Sequence, residues 1–226
     1  MKTDVLVIGA GILGLSSAYH IKRTNPGLKV TLIDQFGGPA QGNTAKCAGG
    51  YRDMLTTDAN LKLSESTIKW FHELQENQGF KIGFHDTGYL YLLSEPEYAK
   101  RKDSFAIMEK KGVKLDYNER EDLENKLPDL ALDMDDEGES MGLNPIVMGV
   151  QGLNCGVINA DSLAKAYETL FHRLGGETKY STKVTKLRHK PRNELGLPGE
   201  PLVWQSSAIT ADETSRGDNE HKTKRV

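Results

Sequence analysis

The sequence predicts an α/β fold in which a parallel sheet at the amino end is interrupted by a smaller α+β insertion. Three observations carry this reading. A strand, a glycine-rich turn, a helix and a second strand follow one another within the first 34 residues. A strand and two capped helices occupy residues 88 to 128, and a helix and strand after residue 156 resume the first pattern. Alternating strands and helices of this kind build a parallel sheet covered by helices.

Asp4 to Ile8 (DVLVI) is a near-continuous aliphatic run, as expected of a strand buried on both faces. Gly9-Ala10-Gly11-Ile12-Leu13-Gly14 then reads G-x-G-x-x-G and opens an amphipathic stretch with Ile12, Leu15, Ala18, Tyr19 and Ile21 at helical spacing. Thr24-Asn25-Pro26-Gly27 ends that helix. Leu28 to Ile33 (LKVTLI) is a second strand, and Asp34 stands at its carboxyl end, 20 positions after Gly14. In a Rossmann-like unit Gly9 makes the tight turn, Gly11 admits a pyrophosphate close to backbone, and Gly14 lets helix pack on strand. The helix amino terminus faces the diphosphate with unpaired N–H groups, and the Asp34 carboxylate accepts ribose hydroxyls and repels a 2′-phosphate. Dinucleotide binding follows, with NADP disfavoured. The motif does not separate FAD from NAD.

After Asp34 the chain enters a run of small residues from Gly37 to Arg52 rather than a third strand. Gly42-Asn43-Thr44-Ala45-Lys46-Cys47-Ala48-Gly49-Gly50-Tyr51-Arg52 fits G-x-[ST]-x-x-x-A-G-G-x-R position by position. Here the sequence resembles the FAD-dependent amine and amino-acid oxidoreductases of the D-amino-acid oxidase superfamily, which includes glycine oxidase, sarcosine oxidase and the dye-linked proline dehydrogenases. The resemblance implies FAD as cofactor. It places Gly9, Gly11, Ile12, Leu13 and Gly14 at the first turn, Asp34 and Gln35 at the ribose, and Gly42, Asn43 and Thr44 along the pyrophosphate. Cys47, Ala48, Gly49 and Gly50 then run toward the flavin ring. Cys47 reads as a small buried thiol facing the cofactor rather than a nucleophile, since no histidine lies near it in sequence.

Residues from about Ala59 to Gln78 form a helical pattern with Leu63, Ile68, Trp70, Phe71 and Leu74 as the apolar stripe. Gly88 to Leu93 is a strand. Ser94-Glu95-Pro96-Glu97 is a capping box with proline in the first turn, and Lys110-Lys111-Gly112 is the matching exit. A strand at Val113 to Tyr117 follows, then a helix capped by Asn118 with Glu121 and ending at Pro128. Six acids between Asp129 and Glu139 invite a calcium-loop reading, but Asn144 stands where the bidentate glutamate belongs, so the segment reads as a solvated acidic loop with no metal. Gly156 to Asp161 precedes a helix with Leu163, Tyr167, Leu170, Phe171 and Leu174, for which Asp161 is the expected N-cap. Glu177 to Tyr180 and Thr182 to His189 alternate like strands. By the resemblance, the backbone at Val184 pairs with the adenine. Residues 191 to 200 read as a hairpin connection and Pro201 to Ala208 as one more strand.

This divides the chain into a discontinuous FAD-binding domain (1–80 and 151–209), a partial substrate domain (81–150) and a polar tail (210–226). The plan is C-terminally incomplete relative to the resembled family. No catalytic residue can be transferred, and Arg52 is left as the candidate anion contact. The expected activity is FAD-dependent oxidation of an amino acid or secondary amine by hydride transfer to flavin. Two alternatives stay open: a non-catalytic FAD-binding fragment or subunit needing a partner chain or oligomer to complete the site, and an NAD-linked Rossmann dehydrogenase.

Composition narrows the field further. With 29 basic and 32 acidic residues the formal net charge is −3, which gives nucleic acid no electrostatic footing. The longest uncharged stretch, Val5 to Tyr19, is glycine-broken and too short for a transmembrane segment, and Asp4 is out of place in a cationic leader. Cys47 and Cys155 lie 108 positions apart, giving neither a disulfide framework nor a C-x-x-C zinc site, so a reducing, cytoplasmic setting is expected. No H-x-x-x-H or G-x-S-x-G occurs, which removes support for zinc and serine hydrolases.

Overall fold

The computed structural model describes residues 2–187. The expected hairpin at 191–200, the strand at Pro201–Ala208, the end of the Thr182–His189 segment and the tail lie outside them. Strands β1 (Val5–Ile8), β2 (Val30–Ile33) and β8 (Glu177–Lys179) form a parallel sheet in the order β1-β2-β8. Val5 to Ile8 lie in register with Val30 to Ile33, and Thr31 to Ile33 with Glu177 to Lys179. Helices α1 (Ile12–Thr24) and α6 (Ala160–Arg173) pack against each other on this sheet, and Leu15, Leu32 and Phe171 are fully buried there. Each such side chain contributes about 1.5–3 kcal/mol over its exposed state.

Strand β2 is buried along its length, as an aliphatic run in a parallel sheet should be. β1 is not: Leu6 is 40% and Ile8 51% exposed, so burial on both faces fails for this strand. Among the described residues β1 pairs with β2 alone, and one of its edges is bare.

Strands β4 (Tyr89–Ser94), β5 (Leu115–Glu119) and β6 (Ile146–Gly152) form a second, antiparallel sheet with β6 in the centre. Helix α3 (Glu95–Lys110) follows β4 through the expected capping box: the Ser94 N–H and hydroxyl both donate to Glu97 Oε2. β5 begins two residues later than expected. The cap of α4 (Arg120–Lys126) moves with it, to Glu119 and Asp122 in place of Asn118 and Glu121. Asn118 is 2% exposed and serves the strand instead. Between α4 and β6 the acidic segment holds a short helix, α5 (Asp136–Ser140), whose N-cap Asp135 accepts from the Gly138 N–H at 2.8 Å. The central strand β6 has no counterpart in the sequence reading.

A two-stranded antiparallel ladder of β3 (Gly50–Tyr51) and β7 (Gly156–Val157) lies between the sheets. α2 (Asp58–His72) starts at Thr57, whose side chain accepts from the Asn60 N–H, and continues into one π-helical turn, Glu73–Asn77. Leu61, Phe71 and Leu74 are its buried residues. Leu63, expected on the apolar stripe, is 67% exposed. Asn159, not Asp161, caps α6, accepting from the Ser162 N–H at 2.8 Å, and Leu174 falls past the helix end at 40% exposure.

Candidate functional site

The turn after β1 is held by backbone. Gly9, at φ +103°, donates its N–H to Ile33 O at 2.8 Å, a conformation that L side chains rarely adopt. A Cβ on Gly14 would sit 1.8 Å from Gly9 O, so helix and turn touch through bare backbone. Gly11 is the N-cap of α1 and has no side chain to cap it, and the first turn carries no acidic residue. One first-turn amide, that of Ile12, donates to Thr44 Oγ1 at 3.1 Å. Leu13 beside it is 81% exposed. The helix end is therefore open to an anion.

Asp34 does more than the spacing suggests. Its Oδ2 accepts from Ala10 N at 2.6 Å and its Oδ1 from Phe36 N at 2.8 Å, so the carboxylate clamps the glycine turn to the end of β2. Each oxygen keeps a further lone pair for a ribose hydroxyl. The Asp34 main chain ties in the segment after β8, donating N–H to Lys179 O at 2.9 Å and accepting from Thr182 N at 2.8 Å. This brings Val184, half-buried, into a cleft of about 250 Å³ with Gly9, Asp34, Gln35 and Phe36. Thr182 to Leu187 is not a strand among the described residues. Phe36 and Lys183, which the sequence reading passed over, also wall the cleft. They are there because the loop after β8 folds back onto the β2 end.

The small-residue run crosses beneath. Ala40 N donates to Ala10 O at 2.9 Å, and Asn43–Lys46 is a 3-10 turn with Gly42 as its N-cap. The Thr44 side chain in that turn both caps Ile12 and lies 3.2 Å from where a Gly11 Cβ would be. Cys47 is exposed, contrary to the buried thiol expected, with its Sγ 3.1 Å from Thr44 O. Its neighbour Ala48 is exposed too, because none of the described residues packs over this stretch before the β3–β7 ladder. At Gly49, φ +68°, a Cβ would meet Ile158 O at 2.1 Å, and Gly50 pairs with Val157. The structure thus gathers the first-turn glycines, Asp34, Gln35, Thr44 and Val184 around one end of the parallel sheet. Cys47 to Gly50 lead away from it toward Tyr51 and Arg52. Arg52 reaches the second sheet: its Nη1 donates to the Tyr91 hydroxyl at 2.9 Å and its guanidinium lies 5.5 Å from the centre of the Tyr89 ring.

Comparison with known proteins gives the family and the fold. Residues 4–211 match the family model described as FAD dependent oxidoreductase. The chain belongs to this family. Peroxisomal sarcosine oxidase of Mus musculus is 25% identical over 205 residues, covering 90% of this chain and 46% of that protein. FAD-dependent oxidoreductase domain-containing protein 1 of Bos taurus is 26% identical over 136 residues, covering 56% of this chain and 28% of the relative. Among solved structures, L-proline dehydrogenase from P. horikoshii superposes with a TM-score of 0.67 at 23% identity, over 81% of this chain and 45% of that one. This likeness shows a shared fold. The chain spans less than half the length of each of these proteins. No helix among the described residues is long and apolar enough to cross a membrane.

Proposed function

We propose that the chain binds FAD at the end of the parallel sheet and serves oxidation of an amino acid or secondary amine. The observation that carries the reading is the fit of the glycine turn to a diphosphate. The α1 amino terminus is uncapped by any acid, the space above Gly9 is open, and Gly11 leaves room that a side chain would fill. The backbone of this turn and the helix dipole neutralise the diphosphate. Asp34 takes the ribose, Val184 and Gln35 border the adenosine end, and Thr44 holds Ile12 so that the turn keeps its shape. Cys47 to Gly50 carry the chain toward the ring, and Arg52, two positions beyond Gly50, is the candidate cation for a substrate carboxylate. When bound, FAD supplies the two-electron acceptor for a carbon next to the amine nitrogen. The protein's contribution is alignment and electrostatics, which is why the reading needs no acid-base dyad.

The test is the colour and contents of the purified chain. FAD released on denaturation in about one-to-one ratio supports the reading; a colourless preparation that binds NAD overturns it. A second reading, a flavin-binding subunit completed by further polypeptide or by an oligomer, is favoured by the β1 edge left unpaired among the described residues and by the exposed Leu6 and Ile8. Amine-dependent dye reduction decides between them: turnover by the chain alone supports the first reading, and stoichiometric FAD without turnover supports the second.

A further inference from the structure

The two side chains that follow Gly50 leave the chain in different directions, and both are tied down. Arg52 runs to Tyr89 and Tyr91 of the second sheet. Tyr51 runs across β7 and is buried. Its hydroxyl donates to Asp86 Oδ1 at 2.5 Å and lies 3.2 Å from His85 O. The way over β7 is open because Gly156 has no side chain: a Cβ there would sit 2.7 Å from the Tyr51 hydroxyl and 2.0 Å from His85 O. His85 pairs with Val157 through both main-chain hydrogen bonds, at 2.9 and 3.0 Å, so β7 is gripped between β3 and the His85–Asp86 segment.

Asp86 is approached from a second side. α2 brings His72 Nε2 to 3.7 Å from Asp86 Oδ2, and Glu76 Oε1 lies 2.7 Å from His72 Nδ1. The Phe84 ring touches both Tyr51, stacked at 4.7 Å, and His72, edge-on at 4.6 Å. In the π-helical turn after His72, Gln75 exchanges two hydrogen bonds with the Phe84 backbone, at 2.8 and 3.0 Å. Such turns are frequent at functional sites. Packing alone asks only for an aromatic ring at position 51. The hydroxyl adds direction, because a hydrogen bond is short and angular where ring contacts can slide. Burial and the bond to Asp86 push the Tyr51 phenol above its ordinary value, so it keeps its proton at neutral pH.

We propose that Asp86 is a positioning residue for the flavin: through the Tyr51 hydroxyl it fixes β3, and with it the Gly49–Gly50 backbone that leads toward the ring. Gly49 O accepts from Ile158 N at 2.8 Å, so a shift in the β3–β7 ladder passes directly to Gly49. The inference rests on the FAD reading above and extends it to residues that line no part of the Asp34 cleft.

The test compares FAD affinity with urea stability in the full chain. Asp86→Ala and Tyr51→Phe both keep the aromatic stack and are expected to weaken FAD binding about tenfold, the scale of one hydrogen bond to a charged group. Asp86→Asn, whose amide oxygen still accepts from Tyr51, is expected to recover most of that loss. Ser94→Ala, which removes a helix cap in the other sheet, is expected to lower stability without changing affinity. Unchanged affinity in Asp86→Ala or Tyr51→Phe, an equal loss in Ser94→Ala, or Asp86→Asn as weak as Asp86→Ala overturns the proposal. A native chain that takes up no FAD brings down the flavin reading and this inference with it, whereas a native chain that binds FAD beside indifferent variants removes Asp86 alone.

Discussion

Two glycines on the path from the first turn to the β3–β7 ladder, Gly14 and Gly49, face backbone, whereas two in the antiparallel sheet, Gly149 and Gly152, face side chains. A Cβ on Gly14 would strike Gly9 O at 1.8 Å and one on Gly49 would strike Ile158 O at 2.1 Å. In β6 a Cβ on Gly149 would meet Leu123 Cδ2 at 2.7 Å, and one on Gly152 would meet the Met54 side chain at 2.6 Å. A leucine or methionine can turn aside; a carbonyl in a strand-to-helix turn cannot. The first pair of glycines therefore fixes the backbone of the proposed ligand site, and the second makes room for a core.

The sharpest way to break this comparison is a matched pair of alanine substitutions. Gly14→Ala is expected to cost about 3 kcal/mol, the upper end of ordinary overpacking, and to abolish FAD retention because the turn itself must move. Gly149→Ala is expected to cost about 1 kcal/mol, absorbed by Leu123, with FAD content unchanged. Urea unfolding and flavin content of both variants test the claim. Equal losses in the two would show that backbone contact is not the distinction.

The same contrast explains what the sequence made legible. The strand–turn–helix–strand unit was readable because its geometry dictates residue types at fixed spacing: Gly9, Gly11, Gly14 and Asp34 needed no knowledge of the rest of the fold. Capping boxes were readable too, since Ser94 and Glu97 lie within one helical turn of each other. β6 was not. Ile146 to Gly152 contains two glycines, which argue against a strand locally, and they are tolerated because Leu90, Leu123 and Met54 fill the space above them. The clamp role of Asp34 was hidden for a related reason: Phe36 N is a local partner, but Ala10 N comes within reach only when β1 and β2 pair. The exposure of Cys47 depends on what the chain leaves uncovered, which no local pattern records.

The two cysteines offer a second test, with a smaller structural but still large chemical contrast. Cys47 is exposed beside Thr44, while Cys155 is fully buried, with its Sγ 3.4 Å from the buried carboxylate of Asp53. Burial pushes the Cys155 thiol up from an ordinary 9.0 to about 11, so its thiolate is about a hundredfold scarcer at neutral pH. A thiol reagent is expected to label one cysteine in the native protein and the second only on unfolding, and FAD is expected to slow the first. Peptide mapping that finds Cys155 labelled in the native chain would contradict the packing between the sheets.

Two capping substitutions sharpen the comparison at the scale of single hydrogen bonds. Thr44→Ala removes the acceptor for the Ile12 N–H, and Ser94→Ala removes half of the α3 capping box. Each is expected to lower stability by about 1 kcal/mol. They should part in function: Thr44→Ala weakens FAD binding because its hydroxyl also sits against Gly11, whereas Ser94→Ala leaves it intact. FAD dissociation measured by fluorescence separates the two, and identical flavin affinity would remove Thr44 from the site.

The smallest effect is a pH dependence to which the antiparallel region contributes. The Glu97 carboxylate accepts from the Ser94 hydroxyl at 2.8 Å and from its N–H at 3.1 Å, and these bonds hold it below the ordinary value of 4.5. The unfolded chain therefore binds this proton more readily than the folded one. The contribution to stability is fully present above the unfolded value and is lost as pH falls through the lower, folded one. Asp133 is held down in the same way by Arg120, so the acid branch has at least two sources. Because Glu97 is open to solvent, screening keeps its share small. Glu97→Gln preserves the reach to Ser94 but removes the charge. It is expected to flatten the acid limb of the stability profile slightly while leaving the neutral-pH flavin content untouched. An acid limb unchanged in Glu97→Gln but flattened in Asp133→Asn would assign the sensitivity to the α4 ion pair instead of the α3 cap.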